Sequence, residues 1–325
     1  MKQAITRWGI IGCGNVTEVK SGPAYQKVAG FELVAVMRRD AARAEDYARR
    51  HQVPRFFTDA AALIVDPGVD CVYIATPPDS HKAYALQVAA AGKPCCIEKP
   101  MAPSYLDCLE IEQAFAAKKL PLFVAYYRRS LPRFLQVRDW LQSGMIGAVR
   151  QVHWQFAKPA AAPDLSGAYN WRTDANIATG GHFDDLASHG LDLFAFLFGR
   201  FRAVAGVSGN QQQLYSARDA VAACWQHESG VMGSGNWNFG CADRQDRVQV
   251  HGSEGSIEFS VFGDAPLRLL AGGRETVLMI EHPPNIQLYH VDNMRKALHG
   301  ELDHPSTGAS AAHTAWVMDR ILGKL

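Results

Sequence analysis

The sequence lacks several patterns that would indicate a membrane protein, a secreted protein or a metalloprotein. Its longest apolar runs are far shorter than a bilayer span, and its N-terminus has no apolar core of a signal peptide. The seven cysteines form no C-x-x-C pair, and the twelve histidines form no H-E-x-x-H or similar ligand set. A net charge of +1 gives no global field for nucleic acid or anionic lipid. We therefore expect a cytoplasmic protein with reduced thiols and no metal, nucleic-acid or membrane partner.

The sequence does have enough apolar content for one large or two medium domains, since 48% of its 325 residues are hydrophobic. Over residues 1–125, strand-like and helix-like segments alternate as in βαβ units, which predicts a Rossmann-type, doubly wound parallel sheet. Over residues 126–325, apolar and polar residues alternate with a period of two residues in segments separated by glycine turns. This pattern predicts an α+β domain with a large, mostly antiparallel open sheet. We assign 1–125 to dinucleotide binding and 126–325 to substrate binding and oligomerisation, with the last helices able to pack back on the first domain.

Individual segments carry these predictions. In the first half we predict strands at RWGIIG, FELVAVMRRD, RFF, VDCVYIATPP, PCCI and PLFVAYYRRS. The helix DAARAEDYARRH should be capped by Asp40. In the second half, Trp154, Trp225 and Trp237 lie at alternating strand positions, and we interpret them as packed sheet faces and not as platforms for a sugar. The strands VAACWQ, GSGNWNF and RVQVHG carry apolar or aromatic residues at both alternating phases, which predicts a dimer or tetramer built on sheet faces.

The first predicted strand runs into a glycine turn, GCGNVT, that opens a helix. Gly12 allows the tight turn, and Gly14 lets the backbone approach a pyrophosphate held at the helix N-terminus, beside Asn15 and Val16. Thr17 occupies the third glycine position of G-x-G-x-x-G, so we expect slightly looser helix packing there. Gly22-Pro23 should end or kink this helix early. A lone G-x-G is weak evidence, but its place at the head of a βαβ series favours nucleotide binding.

The end of the second strand indicates which nucleotide is preferred. An NAD enzyme usually has a carboxylate there for the ribose 2′-hydroxyl, whereas a nearby arginine accommodates the 2′-phosphate of NADP. The sequence AVMRRD places Arg38 at this point with Arg39 beside it. Two solvated arginines before a helix are the ordinary alternative. We predict NADP as the preferred cofactor, with NAD as the alternative.

A further strand ends in Glu98-Lys99-Pro100, at the sheet edge where such folds bind ligands. A lysine held there can bind a substrate oxygen, stabilise negative charge developing on it and help relay a proton. Glu98 can pair with Lys99 or contact the cofactor. Three residues alone do not separate this interpretation from a surface lysine in a loop.

At this point the chain resembles the glucose–fructose oxidoreductase, inositol dehydrogenase and MocA-type oxidoreductases. Its E-K-P strand end is followed by a D-x-x-x-H pair, Asp185 and His189, in TGGHFDDLASHGLDLFAFLFG. The segment YNWR resembles the family's W-R segment near the nicotinamide, and YIATPPDSH resembles its cofactor loop. The resemblance covers essentially the whole chain. Departures are Thr17, Arg38 in place of an acidic residue, and GGHFDD where a plainer glycine-rich entry is usual.

The resemblance implies roles for particular residues. Lys99, Asp185 and His189 are similar to the catalytic set, with His189 as the proton shuttle because imidazole titrates near neutrality. His182 and Asp184 compete for the same roles, and a helical D-x-x-x-H pair is often only a cap and a packed histidine. Taken together, the glycine turn, the end of the second strand and the resemblance give these candidate cofactor contacts: Gly12, Gly14, Asn15, Val16, Arg38, Arg39, Thr76, Pro77, His81, Glu98, Lys99, Trp171 and Arg172. The implied substrate contacts are Tyr126, Arg128, Asn170 and His182, although Tyr126 and Arg128 can equally pack a domain junction.

The resulting hypothesis is an NAD(P)-dependent oxidoreductase that transfers a hydride between nicotinamide and a carbinol or carbonyl of a sugar, cyclitol or related diol. The expected partners are a small polyol or sugar and further copies of the chain. One alternative is a glycosidase-type reaction on the same cofactor, which would show no net change in NAD(P)H. Another is a non-enzymatic nucleotide sensor, which would not need Lys99, Asp185 and His189 together. A third, weaker alternative is binding of S-adenosylmethionine at the glycine turn, because Arg38 and the E-K-P segment do not suit that ligand.

Overall fold

The computed structural model describes residues 5–325, so the first four residues of the predicted first domain lie outside it. The chain divides into two compact units. The first holds the described residues through Ser130 together with Pro283–Ala312, and the second holds Leu131–His282 together with His313–Leu325. Within the described part of the chain, no helix combines the length and the apolarity that a bilayer crossing requires.

The first unit contains a six-stranded sheet in which every pair of neighbours is parallel. Its strands are β1 (Thr6–Ile11), β2 (Phe31–Met37), β3 (Arg55–Phe57), β4 (Cys71–Ile74), β5 (Cys95–Ile97) and β6 (Leu122–Val124). Their order, β3-β2-β1-β4-β5-β6, is that of a Rossmann fold, as the sequence predicts. The order reverses between β1 and β4, so a crevice opens there at the carboxyl ends of the strands.

The helices of the first unit follow the predicted βαβ rhythm. They are α1 (Asn15–Val19), α2 (Gly22–Lys27), α3 (Ala41–Arg50), α4 (Ala60–Val65), α5 (His81–Ala90), α6 (Tyr105–Ala117) and α10 (Leu288–Leu298). The break that Gly22-Pro23 predicts is observed between α1 and α2. Asp40 caps α3 as predicted, because its carboxylate accepts a hydrogen bond from the backbone N–H of Arg43 at 3.1 Å.

The strand predicted over PLFVAYYRRS is wrong beyond Val124. Within the sheet the edge strand β6 pairs with β5, which is itself three residues long, and the ladder ends where the Ala125 N–H donates to the Ile97 carbonyl at 2.9 Å. The Tyr126 N–H donates to the Val124 carbonyl at 2.7 Å and turns the chain. A short 3-10 helix over Tyr127–Ser130 follows.

The second unit contains an eight-stranded sheet in the order β14-β13-β12-β11-β7-β10-β9-β8. Only the β7–β10 pair is parallel, so the sheet is mostly antiparallel, as predicted. Its strands are β7 (Val149–Ala157), β8 (Phe201–Gly209), β9 (Ala220–His227), β10 (Met232–Asn238), β11 (Gln245–Gly252), β12 (Gly255–Phe259), β13 (Leu267–Ala271) and β14 (Arg274–Leu278). The remaining helices are α7 (Pro132–Gln142), α8 (Ala162–Leu165), α9 (His182–Phe198) and α11 (Gly308–Ile321).

One face of this sheet packs against α9. Trp154, Trp225 and Trp237 are each at most 2% exposed, and Phe194 of α9 lies against the first two with ring centroids 5.7 and 6.0 Å apart. Gly190 brings the helix close, since a Cβ there would overlap the Trp154 ring. The interpretation of the tryptophans as packed sheet faces is therefore confirmed.

The assembly prediction rested on apolar or aromatic residues at both alternating phases of the strands, and the other face of this sheet does not show that pattern. The three tryptophans share the buried face, so the aromatic residues do not occupy both phases of the strands. Within the second unit the opposite face is mostly polar or small. Its large exposed apolar side chains are spread over four strands and are Val207, Met232, Leu270 and Val277.

Candidate active site

The glycine turn after β1 is held by the ends of two neighbouring strands. The N–H groups of Gly12 and Cys13 both donate to the Met37 carbonyl at the end of β2, at 2.9 and 3.2 Å. Gly12 has φ +89, and a Cβ there would meet Thr76 beyond the end of β4 at 2.6 Å. Only glycine combines this left-handed conformation with so close an approach.

Thr17, which stands at the third glycine position, is fully buried in the helix after the turn. Its hydroxyl donates to the Gly14 carbonyl at 2.8 Å, and its own carbonyl accepts from the Tyr47 hydroxyl at 2.9 Å. Its polar groups are therefore satisfied internally. Asn15 and Val16 lie beside it in the first turn of α1 and are not among the residues that line the adjoining cavity.

A cavity of about 380 Å³ opens at this turn. Six of the predicted cofactor residues line it together, namely Gly12, Gly14, Arg38, Arg39, Thr76 and Pro77. The other lining residues were not among the predicted cofactor contacts and are Cys13, Met37, Asp40, Arg43, Ala75 and Tyr84. Arg43 could have been found, because it lies one helical turn after the arginines that end β2.

The charged groups at this cavity are mostly cationic. Arg38 is half-buried and donates through Nη1 to the Cys13 carbonyl at 3.2 Å, while Arg39 and Arg43 are exposed. The one carboxylate that lines the cavity, that of Asp40, lies 3.5 Å from Arg43 Nε and already caps α3. Burial raises the pKa of Cys13 to about 11, so its thiol is neutral.

His81 is not among the residues that line this cavity. It is fully buried, with Nε2 2.7 Å from the Thr76 carbonyl and Nδ1 3.1 Å from the Pro100 carbonyl. Desolvation lowers the pKa of the ring, and a neutral imidazole donates at only one nitrogen. With no exposed surface, His81 links the Thr76 loop to the segment after Lys99 and does not reach the cavity.

Glu98 and Lys99 follow β5 at the same edge of the sheet. Glu98 is 7% exposed, and Oε1 accepts from the Tyr73 hydroxyl at 2.6 Å and from Gln287 Nε2 at 2.7 Å. Its Oε2 accepts from the backbone N–H of Lys99 at 3.1 Å. Both oxygens of the carboxylate therefore accept hydrogen bonds from the protein, which leaves little of the carboxylate accessible to a cofactor. Lys99 itself is half-buried, and its peptide bond to Pro100 is cis.

In the second unit, helix α9 places three predicted residues on one face. His182, Asp185 and His189 are spaced by three and four residues, so their side chains lie one above another. Asp185 accepts from Arg172 Nε at 2.8 Å, and the Arg172 guanidinium stacks 4.3 Å from the centre of the Trp171 ring. His189 is 4% exposed, and the edge of its ring meets Phe262. The structure thus brings Arg172 to Asp185, a pairing that the sequence interpretation did not include.

Two further charged residues belong to this cluster. Asp164 is 6% exposed, and its Oδ2 lies 2.8 Å from His182 Nε2. Lys158 directly follows β7, and desolvation lowers its pKa against the opposing charges of Asp164 and Asp185. Desolvation, together with Lys158, lowers the pKa of His182. A lysine at a strand end is the signal that identified Lys99, and it could have identified Lys158.

The remaining predicted residues lie at or beside two short 3-10 helices, Tyr127–Ser130 and Trp171–Thr173. Tyr126 and Arg128 are 2% and 5% exposed, and Arg128 lies over the Tyr127 ring at 5.0 Å. Asn170 caps the short 3-10 helix that begins at Trp171, since its Oδ1 accepts from the Arg172 N–H at 3.2 Å.

Asp184 lies apart from the His182–Asp185–His189 face. It accepts from the Gly180 N–H at 2.9 Å, and burial raises its pKa to about 6 against the opposing effect of Lys324. Its contacts give it a local structural role at the start of α9.

Two family models match the chain in succession. The model described as an oxidoreductase family with an NAD-binding Rossmann fold matches residues 6–126. The model of the GFO/IDH/MocA C-terminal domain matches residues 134–258. Together they cover the glycine turn, the E-K-P strand end and helix α9.

Curated relatives agree with these matches. Oxidoreductase P35 of Formosa agariphila is 35% identical over 317 residues, which cover 97% of this chain and 98% of that protein. Inositol 2-dehydrogenase of Acidothermus cellulolyticus is 35% identical over 205 residues, covering 62% of this chain and 57% of that protein. A solved levoglucosan dehydrogenase, in complex with NADH and levoglucosan, has the same fold, with a TM-score of 0.85 at 22% identity. That likeness covers 97% of this chain and 96% of the other.

Proposed function

The chain belongs to the GFO/IDH/MocA family of oxidoreductases, and we propose that it transfers a hydride between a nicotinamide cofactor and a carbinol or carbonyl carbon of a sugar, cyclitol or related diol. The observation that carries the proposal is the cavity at the carboxyl ends of β1, β2 and β4. There the glycine turn, the end of β2 and the Thr76 loop meet around a space of about 380 Å³. This is the crevice where Rossmann folds bind dinucleotides.

The residues at this cavity fit NAD(P). The close approach of Gly12 to Thr76 leaves room for a pyrophosphate only because glycine has no side chain. Arg38, Arg39 and Arg43 supply cationic groups at the end of β2. We propose that NADP is preferred over NAD, because the one carboxylate lining the cavity, Asp40, is engaged with Arg43 and the α3 N-terminus.

Bound NAD(P) would accept or supply the hydride. We assign to Lys99 the binding of the reacting oxygen, whose developing negative charge an ammonium group stabilises. His189 would move the proton on that oxygen, since imidazole exchanges protons near neutral pH. Asp185 would orient the substrate or His189, and its pairing with Arg172 supports this role by fixing the carboxylate on the His189 face of α9.

The test is a panel of polyols and sugars, including myo-inositol and levoglucosan, given to the full-length protein with NADP⁺ or NAD⁺. Formation of reduced nicotinamide is followed by absorbance, and binding by thermal shift. We expect at least one polyol to be oxidised, and Lys99→Ala to lower kcat by orders of magnitude with cofactor binding retained.

Lys118→Ala is the matched control for Lys99→Ala, because this exposed lysine donates a hydrogen bond to the Ala90 carbonyl at the end of α5 and does not line the cofactor cavity. Wild-type kcat in Lys99→Ala would overturn the assignment of Lys99. Turnover of a glycoside with no net change in reduced nicotinamide would replace the dehydrogenase with a glycosidase-type reaction.

We also propose a homodimer or homotetramer formed through the open face of the second sheet, and a cytoplasmic location. The exposed apolar side chains on that face support the first proposal. All seven cysteines are free thiols, five of them buried, which supports the second.

A further inference from the structure

The backbone at Lys99 lies just beyond the parallel sheet. The Glu98 N–H still donates to the Ile74 carbonyl at 2.8 Å, which continues the β4–β5 ladder by one residue. The backbone N–H of Lys99 instead donates to Oε2 of the Glu98 carboxylate at 3.1 Å. The orientation of the Lys99 backbone therefore depends on where the Glu98 carboxylate is held.

That carboxylate is held by two side chains that come from different parts of the chain. The Tyr73 hydroxyl reaches Oε1 from β4 at 2.6 Å, and Gln287 Nε2 reaches the same oxygen at 2.7 Å. Tyr73 is fully buried and Gln287 is 1% exposed. A buried carboxylate is strongly unfavourable unless donors compensate its charge, so each of these bonds matters to Glu98.

The orientation of the Gln287 amide is set by its contact with Glu98. Its Oε1 is buried and has no hydrogen-bond partner within residues 5–325. A flipped amide would place this oxygen against the Glu98 carboxylate, so the contact with Glu98 alone determines the orientation.

The segment that carries Gln287 is anchored independently of Glu98. Asn285 accepts from Lys27 Nζ at 2.6 Å and donates to the Val19 carbonyl at 2.6 Å. The Gln287 N–H donates to the Lys20 carbonyl at 3.3 Å. These bonds tie the segment to α1 and α2, so Gln287 presents its amide to Glu98 from a fixed support.

From this geometry we propose that Gln287 is a positioning residue for Lys99, acting through the Glu98 carboxylate with Tyr73 as the second donor. The inference rests on the proposed role of Lys99 in hydride transfer. Without the amide donor, the Glu98 carboxylate reorients, and the Lys99 backbone loses the fixed acceptor that sets its direction. Chemistry then slows although the cofactor cavity, which Gln287 does not line, is unchanged.

The test compares Gln287→Leu, Gln287→Glu and Tyr73→Phe in the full-length protein. Assays use saturating NADP⁺ and the best substrate of the polyol panel, from about pH 5.5 to about pH 8.5, with each variant expressed relative to wild type. Gln287→Leu should lower kcat about tenfold or more at every pH with the cofactor KM unchanged, and Tyr73→Phe should act in the same direction. Gln287→Glu should match this loss at high pH and recover several-fold at low pH. At low pH the carboxyl groups of Glu98 and of the substituted residue 287 share a proton, which restores a hydrogen-bond donor to Glu98.

Asn293→Ala is the control, because it removes a hydrogen bond between α10, the helix that follows Gln287, and Ser130, and removes none to Glu98 or to the Asn285 anchor. It should lower the melting temperature and leave relative kcat near wild type at every pH. An equal loss of kcat in Asn293→Ala and Gln287→Leu would overturn the inference, as would absence of low-pH recovery in a folded Gln287→Glu protein. Wild-type kcat in Lys99→Ala would instead overturn the proposed role of Lys99, on which the inference rests, and absence of any polyol oxidation would defeat the proposed function. Loss in Lys99→Ala with normal Gln287 variants would defeat only the positioning role.

Discussion

Replacing Arg38 with alanine should reduce the preference for NADPH over NADH. Arg38 is half-buried at the end of β2, and its guanidinium already donates to the Cys13 carbonyl in the glycine turn. Its remaining donors lie at the cavity where the 2′-phosphate of NADP would bind. A hydrogen bond to a charged group contributes ~1.5–3 kcal/mol, and partial exposure places Arg38 in the lower half of this range.

The lower half of this range corresponds to an affinity for NADPH that falls about 10- to 40-fold in Arg38→Ala. NADH has no 2′-phosphate, so it should lose only the smaller contribution of an ordered glycine turn. Arg39→Ala and Arg43→Ala should have smaller effects, because both side chains are exposed and Arg43 is close to Asp40. All of these differences should shrink as salt rises, since phosphate binding at a solvated site is screened.

Asp40→Asn is the matched variant that should raise the affinity for NADPH. Asparagine can still cap α3, so the helix is kept while the negative charge is removed. NADPH affinity should therefore rise and NADH affinity should not. The assay is calorimetric titration of both cofactors into each protein. Equal affinities in wild type, or a ratio that is unchanged in Arg38→Ala, would show that Arg38 is a solvated surface residue.

Three further predictions concern stability and assembly. Asp184 has a folded pKa of about 6, above its value in the unfolded chain, so its contribution to stability is present below about pH 4 and is lost as pH rises through about 6. Asp184→Asn should thus raise the denaturant midpoint relative to wild type at neutral pH more than at acid pH, and parallel pH curves would contradict this. Gly190→Ala should destabilise by ~1–3 kcal/mol in denaturant unfolding because its Cβ overlaps the Trp154 ring, whereas Gly209→Ala, with open space around its Cβ, should not. Light scattering over a wide concentration range should show a dimer or tetramer, and a persistent monomer would refute assembly through the sheet face.

Much of the fold follows from the sequence because its signals are local. The βαβ rhythm, the Gly22-Pro23 break between α1 and α2, and the cap by Asp40 each depend on residues close together in the chain. The placement of Arg38 and Thr76 at one cavity also follows, because the carboxyl ends of parallel strands meet at one sheet edge. The strand predicted over PLFVAYYRRS failed because its length depended on β5, a partner of only three residues.

Tertiary structure alone decided how the chemical groups are paired. Gln287 meets Glu98 across 189 positions of sequence, and neither residue's neighbours indicate the other. Asp164 meets His182, and Arg172 meets Asp185, only because separate segments are folded against helix α9. His81 is buried and not at the cavity, although its sequence motif is intact. Periodicity determines which face of an element is buried, but hydrogen-bond partners depend on distances set when those elements pack.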